Sequence, residues 1–178
     1  MLSADEGCLC GAVRYHRYQL NAEPVMVAVC HCATCQKNTG SAFSTNLAMP
    51  TDAVEIAGDG LTTYVEHVDA GAMPFFRSYC SRCGSPICGQ GKAYPGFVFI
   101  KAGTLDDPSW VTPTVHMWCA EKQPWVTIGD DVPQLAAGPT SQTGNAAGVP
   151  FRQRFYSDLQ LESEKQAQSQ IEEECNHA

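Results

Sequence analysis

No basic run occurs anywhere in this chain. It has 11 Lys and Arg against 19 Asp and Glu, for a formal net charge of -8. A chain this acidic is repelled by phosphate backbones, so no nucleic-acid partner is expected. Long hydrophobic runs are also missing. None approaches the roughly 18 residues that a membrane-spanning helix needs, so no membrane partner is expected. The opening stretch, Met1 to Gly7, has neither the basic nor the apolar region of a signal peptide. The expected compartment is therefore the cytoplasm, where thiols stay reduced. What the chain does have is ten cysteines in 178 residues. In a reducing compartment, closely spaced cysteines point to metal rather than to disulfides.

Residues 1–128 read as short strands separated by turns. Strand candidates by alternation are 12–15, 25–29, 43–47, 54–56, 61–65, 75–79, 97–101, 115–118 and 125–128. Turn signals divide them at 58–60, 69–71, 94–96 and 106–108. This pattern predicts an all-β domain of short antiparallel strands, with one or two helical turns at 33–38. Large apolar residues thin out in 129–150, where Gly, Pro, Ala, Ser and Thr dominate; this reads as a linker or a loosely packed loop. Ser157 to Glu174 is helix-compatible and opens on a capping-box pattern, Ser157 with Gln160. With Leu159, Leu161 and Ile171 as its large aliphatic residues, it reads as a solvated tail helix. The expected organisation is one domain over 1–128 and a linker with tail over 129–178.

Seven of the cysteines fall into three clusters: Cys8-Leu9-Cys10-Gly11, Cys30-His31-Cys32-Ala33-Thr34-Cys35 and Cys80-Ser81-Arg82-Cys83-Gly84. The glycines after the pairs permit the tight turns of a metal knuckle. Three thiols within six residues can converge on one ion. The two pairs, distant in sequence, complete each other as a four-cysteine site. Zn²⁺ accepts four thiolates tetrahedrally, which closes that site and makes it structural; its net charge would be −2. Three thiolates leave a fourth position for water or substrate, which marks a reactive site.

Core-filling cysteines do not fall into CxC, CxCxxC and CxxC spacings. A thioredoxin-like Cys80–Cys83 pair needs a βαβ context that the sequence does not offer. Purely structural roles for both metals, and iron–sulfur ligation, remain compatible with the spacing. Cys88 and Cys119 read as core residues and Cys175 as an exposed tail residue.

The motifs resemble one family. They are Gly7-Cys8-Leu9-Cys10-Gly11-Ala12-Val13-Arg14-Tyr15, then Cys30 to Lys37 with Gly40-Ser41, then Tyr79 to Ser85. Gly103 to Pro108 follows, and then His116-Met117-Trp118, Lys122 and Trp125. In this order they resemble the glutathione-dependent formaldehyde-activating enzymes, the CENP-V/GFA family, over about residues 7–128. The resemblance implies a zinc-binding β-tent fold and two Zn²⁺ ions. One is implied on Cys8, Cys10, Cys80 and Cys83, the second on Cys30, Cys32 and Cys35. It also implies a carbon–sulfur lyase activity that adds formaldehyde to the glutathione thiol to give S-hydroxymethylglutathione. The implied partners are a small thiol and a small aldehyde.

Three thiolates give the second centre a net charge of −1 and make its metal a weak Lewis acid. A thiol-holding role is therefore preferred over carbonyl activation. A non-catalytic thiol carrier and a structural zinc module binding another protein are the alternative functions. The vacant position favours the first two of the three classes. His116, in a recurring segment of the family, is the catalytic candidate, against a hydrogen-bonded core histidine. His31, between two ligands, is expected to face away from the metal. His16, His67 and His177 carry no motif and read as surface residues. Lys37, Arg82 and Lys122 could meet the carboxylates of glutathione, or be solvated charges. Trp118 and Trp125 read as core aromatics, with pocket lining as the alternative.

Overall fold

The computed structural model describes residues 6–17, 23–66, 74–129 and 131–138. The tail helix expected at Ser157 to Glu174, Cys175, His67 and His177 lie outside these residues, as does the His16 side chain. The described chain is mostly strand, with one α-helix. Ten strands occur: β1 Glu6–Gly7, β2 Arg14–Arg17, β3 Met26–Cys30, β4 Ser44–Pro50, β5 Val54–Ala57, β6 Leu61–Glu66, β7 Phe75–Cys80, β8 Pro86–Gly91, β9 Phe97–Lys101 and β10 Val115–Met117. The helix α1, Ala33–Thr39, sits where the turns after Cys32 were expected.

Two sheets result. A small one has the order β1-β2-β5, and a seven-stranded one the order β10-β3-β4-β9-β8-β7-β6. Pairing is antiparallel except at one edge, where β10 runs parallel to β3, with Met117 opposite Cys30. The expected strand at 125–128 does not form; Pro124 and Trp125 make a turn instead. Residues 133–137, placed by composition in the linker, instead hydrogen-bond along β10 and the turn after it. His116 N–H donates to Pro133 O, Leu135 N–H to His116 O, and Cys119 N–H to Leu135 O.

The main core lies between the sheets. Val13 and Tyr15 of the small sheet side pack in one cluster with Leu47, Met49, Ile87, Val98 and Ile100 of the large sheet. Strand alternation divides the large sheet into two faces. Val27, Leu47 and Ile100 point into this core. Met26, Ala28, Ala48, Val115 and Phe99 form a second, smaller cluster on the other face, covered in part by Leu135. Cys88, on β8, is buried in the main core, and burial pushes its thiol above the usual range.

One glycine fixes how the small sheet meets the knuckles. Gly58, in the turn between β5 and β6, has φ 139. A Cβ there would lie 2.2 Å from Ala12 O and 2.8 Å from Val13 Cα. Both are backbone atoms beside the first cysteine pair and cannot swing away. Gly58→Ala is expected to cost about 3 kcal/mol, combining forbidden φ with overpacking. Thermal denaturation of purified protein checks this; an unchanged midpoint would contradict the close packing of turn against knuckle.

Candidate metal centres

The first cluster is built from two turns, each closed by a glycine with positive φ. In one, Gly11 N–H donates to Cys8 O at 3.0 Å and Gly11 takes φ 77. In the other, Gly84 N–H donates to Cys80 O at 2.8 Å and Gly84 takes φ 75. Each turn curls its backbone so that two thiols project to one side. Ser85 ties the turns together: its Oγ accepts from Leu9 N–H and lies 3.3 Å from Cys83 Sγ. Cys8, Cys10, Cys80 and Cys83 place their Sγ atoms within 4.8 Å of one another. Cys8 to Cys10 is 3.5 Å and Cys10 to Cys80 is 3.7 Å. A tetrahedral ion with metal–sulfur bonds of about 2.3 Å separates its sulfurs by ~3.8 Å. A disulfide would need about 2.05 Å. The donor set therefore fits a metal and not a disulfide.

Packed thiols cannot all ionise without a cation among them, and their acidities spread apart. Hydrogen bonds from the Ser85 hydroxyl and backbone pull Cys83 down to about 5.

The second cluster stands at the end of β3. Cys30 closes the strand, Cys32 caps α1, and Cys35 lies in its first turn. Cys32 Sγ accepts from Cys35 N–H at 3.3 Å. A thiol thus does here what a Ser or Asp oxygen does at most helix starts. The three Sγ atoms also lie within 4.8 Å of one another, with Cys30 to Cys32 at 3.5 Å. Cys30 and Cys35 are buried and Cys32 is half-buried. Among the described residues no fourth His, Cys, Asp or Glu joins this group. Both clusters can hold a metal ion. The second offers three sulfurs and a fourth position not filled by the protein.

A shell of polar contacts holds the second cluster in shape. Glu121 Oε2 accepts from Ala33 N–H at 2.7 Å, satisfying a free donor at the start of α1. Gln36 donates to His31 O and Glu121 O, and accepts from Gln123. Glu121 carries no family motif, and nothing in its spacing marks it as a partner of residue 33. Glu121→Ala is expected to lower stability by about 1 kcal/mol, the cost of losing one cap-like contact. It should also weaken metal binding at the second cluster a few-fold. Competition with a chromophoric chelator reads the second effect; unchanged metal affinity would show that the contact does not support the cluster.

His31 is fully buried and its Nε2 lies 2.8 Å from His116 Nδ1. The rings stack at 5.1 Å, and Phe43 closes on His31 edge-on. His31 Nδ1 has no hydrogen-bond partner. A buried lone pair without a partner costs less than a buried N–H without one. The proton is therefore assigned to His31 Nε2, donating to His116 Nδ1. Burial holds both imidazoles below their usual range, with His116 and Lys122 adding to the effect at His31. His116 alternates with Val115 and Met117, which share the face of Cys30. Its side chain starts from the opposite face.

The remaining sequence candidates are dispersed. Arg82 pairs with Asp59 beside the first cluster, not the second. Lys37 is exposed in the last turn of α1. Lys122 donates to Val126 O at 2.6 Å, and so braces the turn at 124–125. Trp118 and Trp125 are not core aromatics: they are 38% and 74% exposed. Trp118 takes φ 58, a left-handed conformation that turns the chain sharply after β10 and points the ring outward against Gly138. Cys119 follows in a short 3-10 turn and is only half-buried.

Sequence reading passed over one group altogether. Lys101, at the end of β9, is 7% exposed and donates to Ser44 Oγ and Asn46 Oδ1, each at 2.8 Å. The alternation Phe97, Phe99, Lys101 puts it on the face of the second, smaller cluster, opposite the main core.

Residues 3–121 match the family described as glutathione-dependent formaldehyde-activating enzyme. A Halomonas elongata protein that bears the same family's name is 30% identical over 124 residues, covering 68% of this chain and 78% of its own. A crystal structure of a Rhodobacter sphaeroides protein superposes with a TM-score of 0.45 at 20% identity, covering 61% of this chain and 90% of that one. No helix among the described residues is long and apolar enough to cross a membrane.

Proposed function

Because the chain belongs to the glutathione-dependent formaldehyde-activating enzyme family, we propose that it is a zinc-dependent carbon–sulfur lyase joining formaldehyde to the thiol of glutathione. The reacting centre is the Cys30–Cys32–Cys35 cluster, and the four-cysteine cluster holds the fold. One observation carries the assignment. The second cluster offers three sulfurs, two of them buried, and no fourth protein donor among the described residues. A scaffold gains nothing from an unfilled position, whereas a reaction centre needs one. A zinc ion bound there supplies a site at which a thiol loses its proton near neutral pH.

The reaction balances simply. The thiolate sulfur forms a bond to the aldehyde carbon, the carbonyl π bond breaks onto oxygen, and the oxygen takes up one proton. The product is S-hydroxymethylglutathione. The chain's own residues hold and orient. Cys30 and Cys35 anchor the centre from strand and helix, and Cys32 is the least buried of the three. For His116 we propose a positioning role: through His31 it fixes the strand-to-helix junction around which the three cysteines gather. Trp118 and Trp125 stand exposed on the segment that wraps this loop, and suit the lining of a substrate approach.

The test is the rate of S-hydroxymethylglutathione formation from glutathione and formaldehyde, followed by NMR against the uncatalysed rate. Acceleration that disappears on replacing Cys32 is expected. Glutathione binding with no acceleration would leave a thiol carrier, and no binding at all would overturn the reading.

A further inference from the structure

Lys101 is buried without an obvious reason. An ammonium in the protein interior is costly unless a negative charge faces it. Among the described residues no carboxylate lies within ion-pair distance of Lys101. Its hydrogen-bond partners, Ser44 and Asn46, are neutral. Those partners are themselves fixed. Asn46 Nδ2 donates to Ser44 O at 2.9 Å, which commits Oδ1 to the lysine, and Ser44 Oγ also donates to Oδ1 at 3.0 Å. The sheet has built a cradle that aims an ammonium group and leaves its charge unanswered.

What lies next to the cradle answers it. Lys101 pairs with Asn46 across β9 and β4, and Ser44 pairs with Cys30 across β4 and β3. Register partners in a sheet share a face, as do residues two apart. Lys101, Asn46, Ser44 and Cys30 therefore form one continuous row leading to the three-cysteine cluster. Burial lowers the pKa of Lys101, and the thiols of Cys35, Cys30 and Cys88 act in the opposite sense. Arg77, which repels it, is taken up by Glu66 at 2.6 Å. Cys88 belongs to neither cysteine cluster. That leaves the metal-binding thiols as the anionic group that Lys101 serves.

We propose that Lys101 is the buried counter-cation of the Cys30–Cys32–Cys35 centre, and that it selects an anionic fourth ligand over a neutral one. Resting on the function proposed above, this names the charge class of the occupant. Three thiolates and a divalent ion carry a net −1. A neutral fourth ligand leaves that charge unchanged, whereas an anion raises it to −2. A fixed positive charge held on the same sheet row in a low-dielectric site offsets the second step and hardly affects the first. Thiolates are thereby favoured over water and imidazole.

The full-length protein loaded with cobalt(II) gives a direct readout through its visible absorption bands. Azide serves as the anionic probe and imidazole as the neutral one. In Lys101→Met, azide affinity is expected to fall about tenfold or more, with imidazole affinity unchanged within about twofold. Lys101→Arg keeps the charge and should restore most of the azide affinity. Asn46→Asp places a carboxylate against Nζ and should reproduce the azide loss without changing the lysine, which keeps the test open if Lys101→Met fails to fold. Azide affinity that is unchanged in both neutralising variants, or azide and imidazole weakening together, overturns the proposal. So does a wild-type centre that binds neither probe. A wild-type centre that prefers azide through Lys101 but ignores glutathione sinks the lyase reading and leaves Lys101 in its role.

Discussion

Cys80→Ser is expected to remove one metal ion per chain and lower the thermal midpoint by about 15 °C or more, or to prevent folding outright. Cys80 is fully buried at the end of β7, and its Sγ lies 3.7 Å from Cys10 Sγ. Through it the turn that leads into the small sheet is joined to the large sheet. A structural zinc contributes apparent folding energy of about 10–16 kcal/mol in small modules, while domains as a whole are stable by about 5–15 kcal/mol. Loss of one of four ligands therefore takes a large share of the total. For a domain of this size about 4 kcal/mol corresponds to the stated shift in midpoint. Metal analysis together with thermal denaturation checks the prediction. A Cys80→Ser protein with its full metal complement and an unchanged midpoint would show that the four-cysteine cluster does not hold the fold.

Cys32→Ser should behave in the opposite way, with fold kept and function lost. Serine is a better helix N-cap than cysteine, so the hydrogen bond that Cys32 Sγ now accepts from Cys35 N–H has a ready replacement. The thermal midpoint is expected to stay within about 5 °C of wild type. Two sulfurs and a hydroxyl hold zinc far less well than three sulfurs. Glutathione binding should weaken by about 100-fold or more, and the rate of S-hydroxymethylglutathione formation by about 1000-fold, the several kcal/mol that a metal ion brings to such a step. Calorimetric titration and the NMR rate assay read the two losses separately. Full binding and full rate in Cys32→Ser would place the chemistry elsewhere. The contrast between the variants is the informative part: one ligand loss acts on stability, the other on the reaction.

Much of this was legible in the sequence, because short-range rules decide it. The alternation at 43–47, 54–56, 61–65, 75–79 and 97–101 gave strands within a few residues of β4, β5, β6, β7 and β9. The cysteine pairs with their trailing Gly11 and Gly84 gave turns, and both take the positive φ such turns need. The grouping of seven cysteines into four and three also follows from spacing, and the structure brings the same sets together.

Long-range placement was not legible. Nothing local shows that β10 runs parallel to β3, because a parallel partner is set by the path of a distant crossover. Trp118 and Trp125 looked like core residues by type, but the left-handed turn at Trp118 and the turn at Pro124 and Trp125 carry them outward. Residues 133–137 looked like linker because small residues dominate, yet their backbone groups hydrogen-bond to β10 and the turn beyond it. Backbone pairing needs no large side chain. Lys101 escaped notice for a related reason. A lysine at a strand end is ordinarily a solvated charge; alternation along β9 gives its face, but the register of three strands is needed to show that this face leads to the three-cysteine cluster.

The central claim is that the three-cysteine centre takes a thiol as its fourth ligand while the four-cysteine centre stays closed. X-ray absorption at the zinc edge, with and without glutathione, tests this most directly. Four sulfurs at one centre and three at the other average to about 3.5 per metal, and a bound thiol raises this to about 4. A rise of that size, absent in Cys32→Ser, is the result predicted. An average that does not move when glutathione is added in excess would contradict the account.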